Sequence, residues 1–298
     1  MAEREENRIL ELFGKSTRRK HPWKRIVTKQ HCPFANTKCF KVRKSQPDVS
    51  IGTCSVRYGS ETKDIVICPN RMLERRQVFT DCFHLLSLHE PGNELHVVPE
   101  LSIPGGSVDY VLASVQRGRV RDFVAIELQT LDTTGTVWPE RQRLLRRFRM
   151  SVAKDDVASK KTFGMNWKMT AKTILVQLHH KVETLEHIAK RLVVVVQDHL
   201  LRYLRKEFNF GHLKDVRTGD TVHFHSYRLA EQADEFRLEL DSRISTDAAG
   251  IAACLGLQAE SKVELETILA EIERKISKHT LLTMDDGPVL RSVEMPTE

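Results

Sequence analysis

From Val108 to Thr130 the sequence VDYVLASVQRGRVRDFVAIELQT alternates apolar and polar residues in period two, breaks at Gln116-Arg117-Gly118-Arg119, and alternates again. A side-chain period of two on both sides of a short glycine turn predicts a β-hairpin. The segments that follow predict an α/β (α+β) fold. Pro139 stands near the start of a short basic helix with Leu144, Leu145 and Phe148. TILVQLHH, residues 173–180, reads as a buried strand, and Val182 to Phe208 reads as helix, although the β-branched run Val193 to Val196 weakens a helix. DTVHFHSYRL, residues 220–229, alternates like a strand, and Ser261 with Glu264 opens a further helix through a capping box. The order β, β, α, β, α from Val108 onward points to a mixed central sheet flanked by helices.

A chain of 298 residues is long enough for about two domains. The Pro- and Gly-rich passage HEPGNELHVVPELSIPGG, residues 89–106, sets the expected boundary near residue 88, giving an N-terminal region of residues 1–88 and a second core of residues 89–298. The net charge of +7 is uneven: from Lys15 to Lys44 there are eleven Lys or Arg residues and no acid. That stretch reads as an arm for a polyanion. No apolar run approaches the roughly 20 residues of a membrane span, and MAEREENRIL has no apolar signal core, so the expected setting is a reducing cytoplasm with no membrane partner.

In that setting the six cysteines argue for metal or catalysis before disulfides. Cys32, Cys39, Cys54 and Cys68 cluster beside turn formers in HCPF, IGTCS and ICPN. Four thiolates around one tetrahedral ion can fix a segment with little apolar core of its own. Thiolate softness suits zinc or iron without choosing between them, and four protein ligands make such a site structural.

The hairpin carries its own chemistry. Asp109 lies on the first strand; Glu127 and Gln129 lie near the end of the second and share a face. Antiparallel pairing brings Asp109 toward Glu127, and a divalent cation such as Mg²⁺ relieves the repulsion of two adjoining carboxylates. An ion so held neutralises charge on a phosphate and acidifies a bound water, as phosphodiester hydrolysis requires. Gln129 can orient a nucleophile through its amide but brings no charge.

An Asp, a short hairpin and Glu-x-Lys mark the PD-(D/E)xK nucleases. The variant Glu127-Leu128-Gln129, after VDYVLA and a four-cysteine segment, resembles the NotI-type restriction endonucleases, above all the shorter EagI-like members. The likeness is strong over about residues 30–140. It implies a PD-(D/E)xK core, Asp109 and Glu127 as Mg²⁺ ligands, Gln129 at the place of the lysine, and the four cysteines as a structural site for iron or zinc, iron being favoured. It also implies a further acid upstream of Asp109, with Glu100 the candidate and Glu94 and Glu90 its competitors.

The expected activity is that of a type II restriction endonuclease cutting both strands of a GC-rich palindrome, GGCC-centred and of the kind CGGCCG, and leaving 5′-phosphates. Its expected partners are double-stranded DNA and a second copy of the chain, since two strands call for two sites related by a twofold axis. The basic arm and Arg141, Arg143, Arg146, Arg147 and Arg149 offer phosphate contacts, and arginine is the best reader of guanine. Gly14-Lys15-Ser16-Thr17 lacks the first glycine of a phosphate-binding loop, position 9 being Ile, so no nucleotide cofactor is expected. The alternatives are a DNA-binding regulator that grips without cutting, and a less specific nuclease for repair or modified DNA.

Overall fold

The computed structural model describes residues 8–213 and 215–256, with residue 274. The expected helix at 261–279 and the C-terminal tail therefore lie outside the described residues. At its centre is a six-stranded mixed sheet: β5 (Glu94–Ile103), β6 (Gly106–Gln116), β7 (Arg119–Gln129), β8 (Arg191–Gln197), β9 (Val222–Gln232) and β10 (Glu235–Thr246) lie side by side in chain order. Strands β7, β8 and β9 run parallel, and the outer pairings β5–β6, β6–β7 and β9–β10 are antiparallel. The predicted hairpin is β6–β7, turning at Arg117-Gly118.

A second, four-stranded antiparallel sheet holds β1 (Arg8–Leu12), β2 (Lys15–Ser16), β3 (Thr53–Tyr58) and β4 (Lys63–Val66), in the order β2-β1-β3-β4. It docks on the main sheet through Gln197, whose amide accepts from Val66 N–H at 2.9 Å and donates to the Asp64 carbonyl at 2.6 Å. The described residues before 257 belong to one compact unit, and Ile9, Val56 and Ile65 share a core cluster with Ala125 and Val194.

Helix α1 (Trp23–Lys29) follows β2, α2 (Gln77–Cys82) precedes β5, and α3 (Trp138–Arg147) carries Pro139 in its first turn, near the start as expected. The parallel strands need crossovers, which α4 (Trp167–His187) and α5 (Asp198–Glu207) supply. Ile174, Leu175, Leu178, Val182 and Leu185 of α4 pack with Ala125, Leu192, Val194 and Val196 of the sheet. The opposite face, with Ile126, Leu128, Val193 and Val195, is covered by Met72, Leu73, Val78, Phe79 and Cys82.

Two expectations are corrected here. TILVQLHH is not a strand: its apolar residues continue at spacings of three and four to Val182 and Leu185, and the whole run lies within the 21-residue helix α4. The segment from Val182 to Phe208 is not one helix, because Arg191–Gln197 is strand β8 at the centre of the sheet. Its valines are buried on both faces, as parallel central strands require, and β-branched side chains suit that pleat better than a helical turn.

The basic stretch is folded and partly paired. Arg18 and Arg19 bond Glu231 and Glu235, Lys41 donates to the Ile67 carbonyl, and Arg43 pairs with Asp156 at 3.0 Å. Arg141 is likewise internal: its guanidinium donates to the Ile51 and Ser50 carbonyls and stacks on Trp138, and burial lowers its pKa to about 10. Trp23 of α1 stacks on Phe148 at 4.6 Å, which sets exposed Lys24, Arg25 and Lys29 near exposed Arg146, Arg147 and Arg149. No helix among the described residues is long and apolar enough to cross a membrane.

Candidate active site

The strand register brings the acids together. Tyr110 pairs with Ile126 and Val111 with Ala125, which sets Asp109 across from Glu127; on the other side Val108 pairs with Leu101 and Tyr110 with Pro99, which sets Glu100 across from Asp109. Asp109 is exposed and accepts the Leu128 N–H at 2.8 Å, so its carboxylate is fixed against the second strand. Glu127 is half-buried on the face toward α4. Burial, with the neighbouring Asp109 charge, pushes the Glu127 carboxyl up to about 7 against the opposing pull of Lys181.

Lys181 is the residue the sequence reading missed. It stands on α4, and its Nζ donates to Glu127 Oε1 at 2.5 Å, with side-chain exposures of 10% and 17%. A signal for it exists in the sequence. Lys181 falls in the apolar stripe Ile174, Leu178, Leu185 of an amphipathic helix, where packing alone favours leucine. The turn at Pro104-Gly105 lies against the same part of α4: Thr184 Oγ1 donates to the Pro104 carbonyl at 3.0 Å, and a Cβ on Gly106 would lie 3.1 Å from Lys181 Cε. The two glycines therefore admit the helix and its lysine.

Gln129 follows on the same face as Glu127, and its amide donates to the Thr130 carbonyl at 3.1 Å. Glu100 has a left-handed backbone, φ +50°, which breaks the alternation that would aim it with Asp109. Its charge is felt at the Tyr110 hydroxyl, raised first by burial and then by Asp109 and Glu100. Glu94 pairs across from Val115, six strand positions or roughly 20 Å along β6 from Asp109, and Glu90 precedes the sheet.

The four N-terminal cysteines come from different elements and are all buried: Cys32 lies on the first strand of a short ribbon (His31–Cys32 with Thr37–Lys38) and Cys39 just after its second, Cys54 is on β3, and Cys68 precedes the helical stretch at Pro69. Burial raises the Cys39, Cys54 and Cys68 thiols, and the negative charge of Cys68 would add to that rise at Cys54. Gly14 N–H donates to Cys54 Sγ at 3.3 Å, and Asn70 Nδ2 donates to Cys32 Sγ at 3.9 Å. Soft donors aided by N–H groups fit a thiolate-bound ion. Among the described residues, however, no group of three or more His, Cys, Asp or Glu is arranged to hold a metal, here or at the acids.

His223 and His225 share a face of β9 and are both buried; His225 Nδ1 lies 3.9 Å from Cys82 Sγ, and its ring stacks with His84 at 6.1 Å.

The hairpin with its paired acids, the four clustered cysteines and most of the mixed sheet fall within one family match. A family model described as Restriction endonuclease NotI matches residues 19–238, well over half of the 298-residue chain. No curated protein matches the sequence. The chain belongs to the NotI restriction endonuclease family, whose members are type II restriction enzymes acting on double-stranded DNA.

Proposed function

We propose that the chain is a Mg²⁺-dependent type II restriction endonuclease of the PD-(D/E)xK kind, with Asp109 and Glu127 as the ion's ligands. The observation that carries this reading is the apposition of these acids across β6 and β7, with the Glu127 carboxyl pushed up by burial and by Asp109. A half-buried carboxylate beside an exposed one fits a cation open to substrate, and Mg²⁺ is commonly held by one or two carboxylates together with substrate phosphates and water. The bound ion would supply Lewis acidity to the phosphate and acidify water.

The residues around it have separable tasks. The Leu128 N–H holds Asp109 in place, while Gln129 sits one pleat along on the ion's face, where its amide can orient a water but adds no charge. Glu100, across from Asp109 in register, is the candidate upstream acid. The exposed cations of α1 and of the end of α3 would bind phosphates in a salt-dependent way and position the duplex without reading it. Cys32, Cys39, Cys54 and Cys68 would hold a structural iron or zinc, their burial and N–H donors being what favours it. A homodimer, a GGCC-centred palindrome of the kind CGGCCG and 5′-phosphate products complete the proposal, on the resemblance to the shorter EagI-like members.

Digestion of GC-rich plasmid DNA with Mg²⁺ tests it: discrete fragments are expected from the wild-type chain and none from Asp109→Ala. Sequence-specific binding without cutting, unchanged in Glu127→Ala, would instead favour a regulator.

A further inference from the structure

A lysine two residues after Glu127 would give the carboxylate pair a positive charge, and Gln129 does not. Lys181, 54 residues away in sequence, brings an ammonium to the same carboxylate from the helix above the sheet. We infer that Lys181 supplies the cation that position 129 lacks: it balances Glu127 while no ion is bound, and adds positive charge beside the scissile phosphate once DNA is bound. The inference rests on the nuclease reading above.

Three features of the structure support a role beyond packing. An ammonium this enclosed loses most of its hydration and must be paired to be tolerated, and replacing a buried ion pair by apolar groups is often neutral or stabilising. Stability therefore gives no reason for a lysine within the stripe Ile174, Leu178, Leu185. Next, the fold accommodates this stem: Gly106 leaves the space beside Lys181 Cε and Cγ, Gly105 lets the turn close on the helix backbone at His180, and Thr184 ties the turn to the helix. Finally, Lys181 reaches the sheet on the face that carries Glu127 and Gln129, at the strand position where Asp109 adjoins.

The chemistry asked of it is electrostatic. Hydrolysis forms a bond from a water oxygen to phosphorus and breaks the bond from phosphorus to the 3′ oxygen. The attacking water loses its proton to bulk water, and the 3′ oxygen takes one from it. Lys181 transfers no proton; as a compact point charge it offsets negative charge growing on the phosphate, which a neutral amide cannot.

The test pairs two readouts that a merely structural role would not move in opposite directions. Ca²⁺ binding to the metal-free protein, measured by calorimetry, is expected to tighten up to about tenfold in Lys181→Met, because the ammonium no longer competes for Glu127. Single-turnover cleavage of a plasmid that the wild-type protein linearises is expected to fall about 100- to 1,000-fold, with the concentration dependence on DNA little changed. The double variant Gln129→Lys/Lys181→Met should recover at least about tenfold of that loss, by returning a cation to the same carboxylate.

Unchanged or weaker Ca²⁺ binding together with wild-type cleavage in Lys181→Met overturns the inference, and so does a double variant no faster than Lys181→Met. If neither wild type nor Asp109→Ala cuts any DNA while Ca²⁺ still binds Lys181→Met more tightly, the nuclease reading falls and the competition between ammonium and cation stands.

Discussion

A Cβ on Gly105 would lie 2.5 Å from the carbonyl oxygen of His180, so the turn between β5 and β6 closes on helix α4 at a distance that no side chain permits. Gly105 also has φ +88°, which L residues rarely adopt. Gly105→Ala is expected to lose about 2–3 kcal/mol, of which roughly 1–2 is backbone strain and the rest displacement of α4. Gly92, at φ +92° with nothing within 4 Å of its Cβ position, is the control for strain alone. Cleavage should fall further in Gly105→Ala than in Gly92→Ala, since only the former moves Lys181; equal losses in thermal stability and in activity would show the helix contact to be immaterial.

The buried Arg71 joins three parts of the unit. Its guanidinium bonds Glu11 at 2.8 Å, Glu74 at 2.9 Å and the Phe236 carbonyl at 3.0 Å, and lies over the Phe34 ring at 4.9 Å. Removing one member of a buried pair leaves the other charge uncompensated, so Arg71→Met is expected to lose about 3–5 kcal/mol. Urea unfolding measures it, and a loss below about 1 kcal/mol would mean that the network contributes little.

Acid should weaken the fold through two histidines. Burial above all, helped at His225 by the Arg243 charge, holds His223 at about 4 and His225 at about 3. A folded-state value below the ordinary imidazole range means that folding favours the neutral ring. The contribution is complete above about pH 6.5 and is lost as pH falls toward 4 and then 3. The unfolding midpoint should decline from pH 7 to 4.5, and His225→Gln should decline less steeply; parallel curves would count against the buried histidines as the cause.

Metal analysis of the purified protein should find about one iron or zinc per chain, lost in Cys54→Ser together with several degrees of thermal stability. A metal-free chain of unaltered stability would remove the structural ion from the account and leave four buried thiols.

The legible parts of the sequence were those where one local pattern decides. Period two on both sides of Arg117-Gly118 gave the hairpin, Pro139 gave the start of α3, and Asp109 with Glu127 emerged from the hairpin alone. Val193 to Val196 misled because a doubly buried parallel strand has no polar face, and with helices on either side it reads as their continuation. In the sequence, Gly105 and Gly106 belong only to a Pro- and Gly-rich passage, whereas in the fold they face His180 and Lys181. That role could not be read locally, because it depends on a helix about 75 residues further along the chain. Lys181 itself belongs to no motif with Glu127, and only its place in an apolar stripe marks it.

The account's central claim is sequence-specific cleavage by the Asp109–Glu127 pair, and sequencing the ends of fragments from Mg²⁺ digests of a complex GC-rich DNA tests it most directly. The expected result is one GGCC-centred palindrome at every end, with 5′-phosphates and matching cuts in both strands, all absent in Glu127→Ala. Ends scattered without a shared sequence, or the same ends from Glu127→Ala, would contradict it.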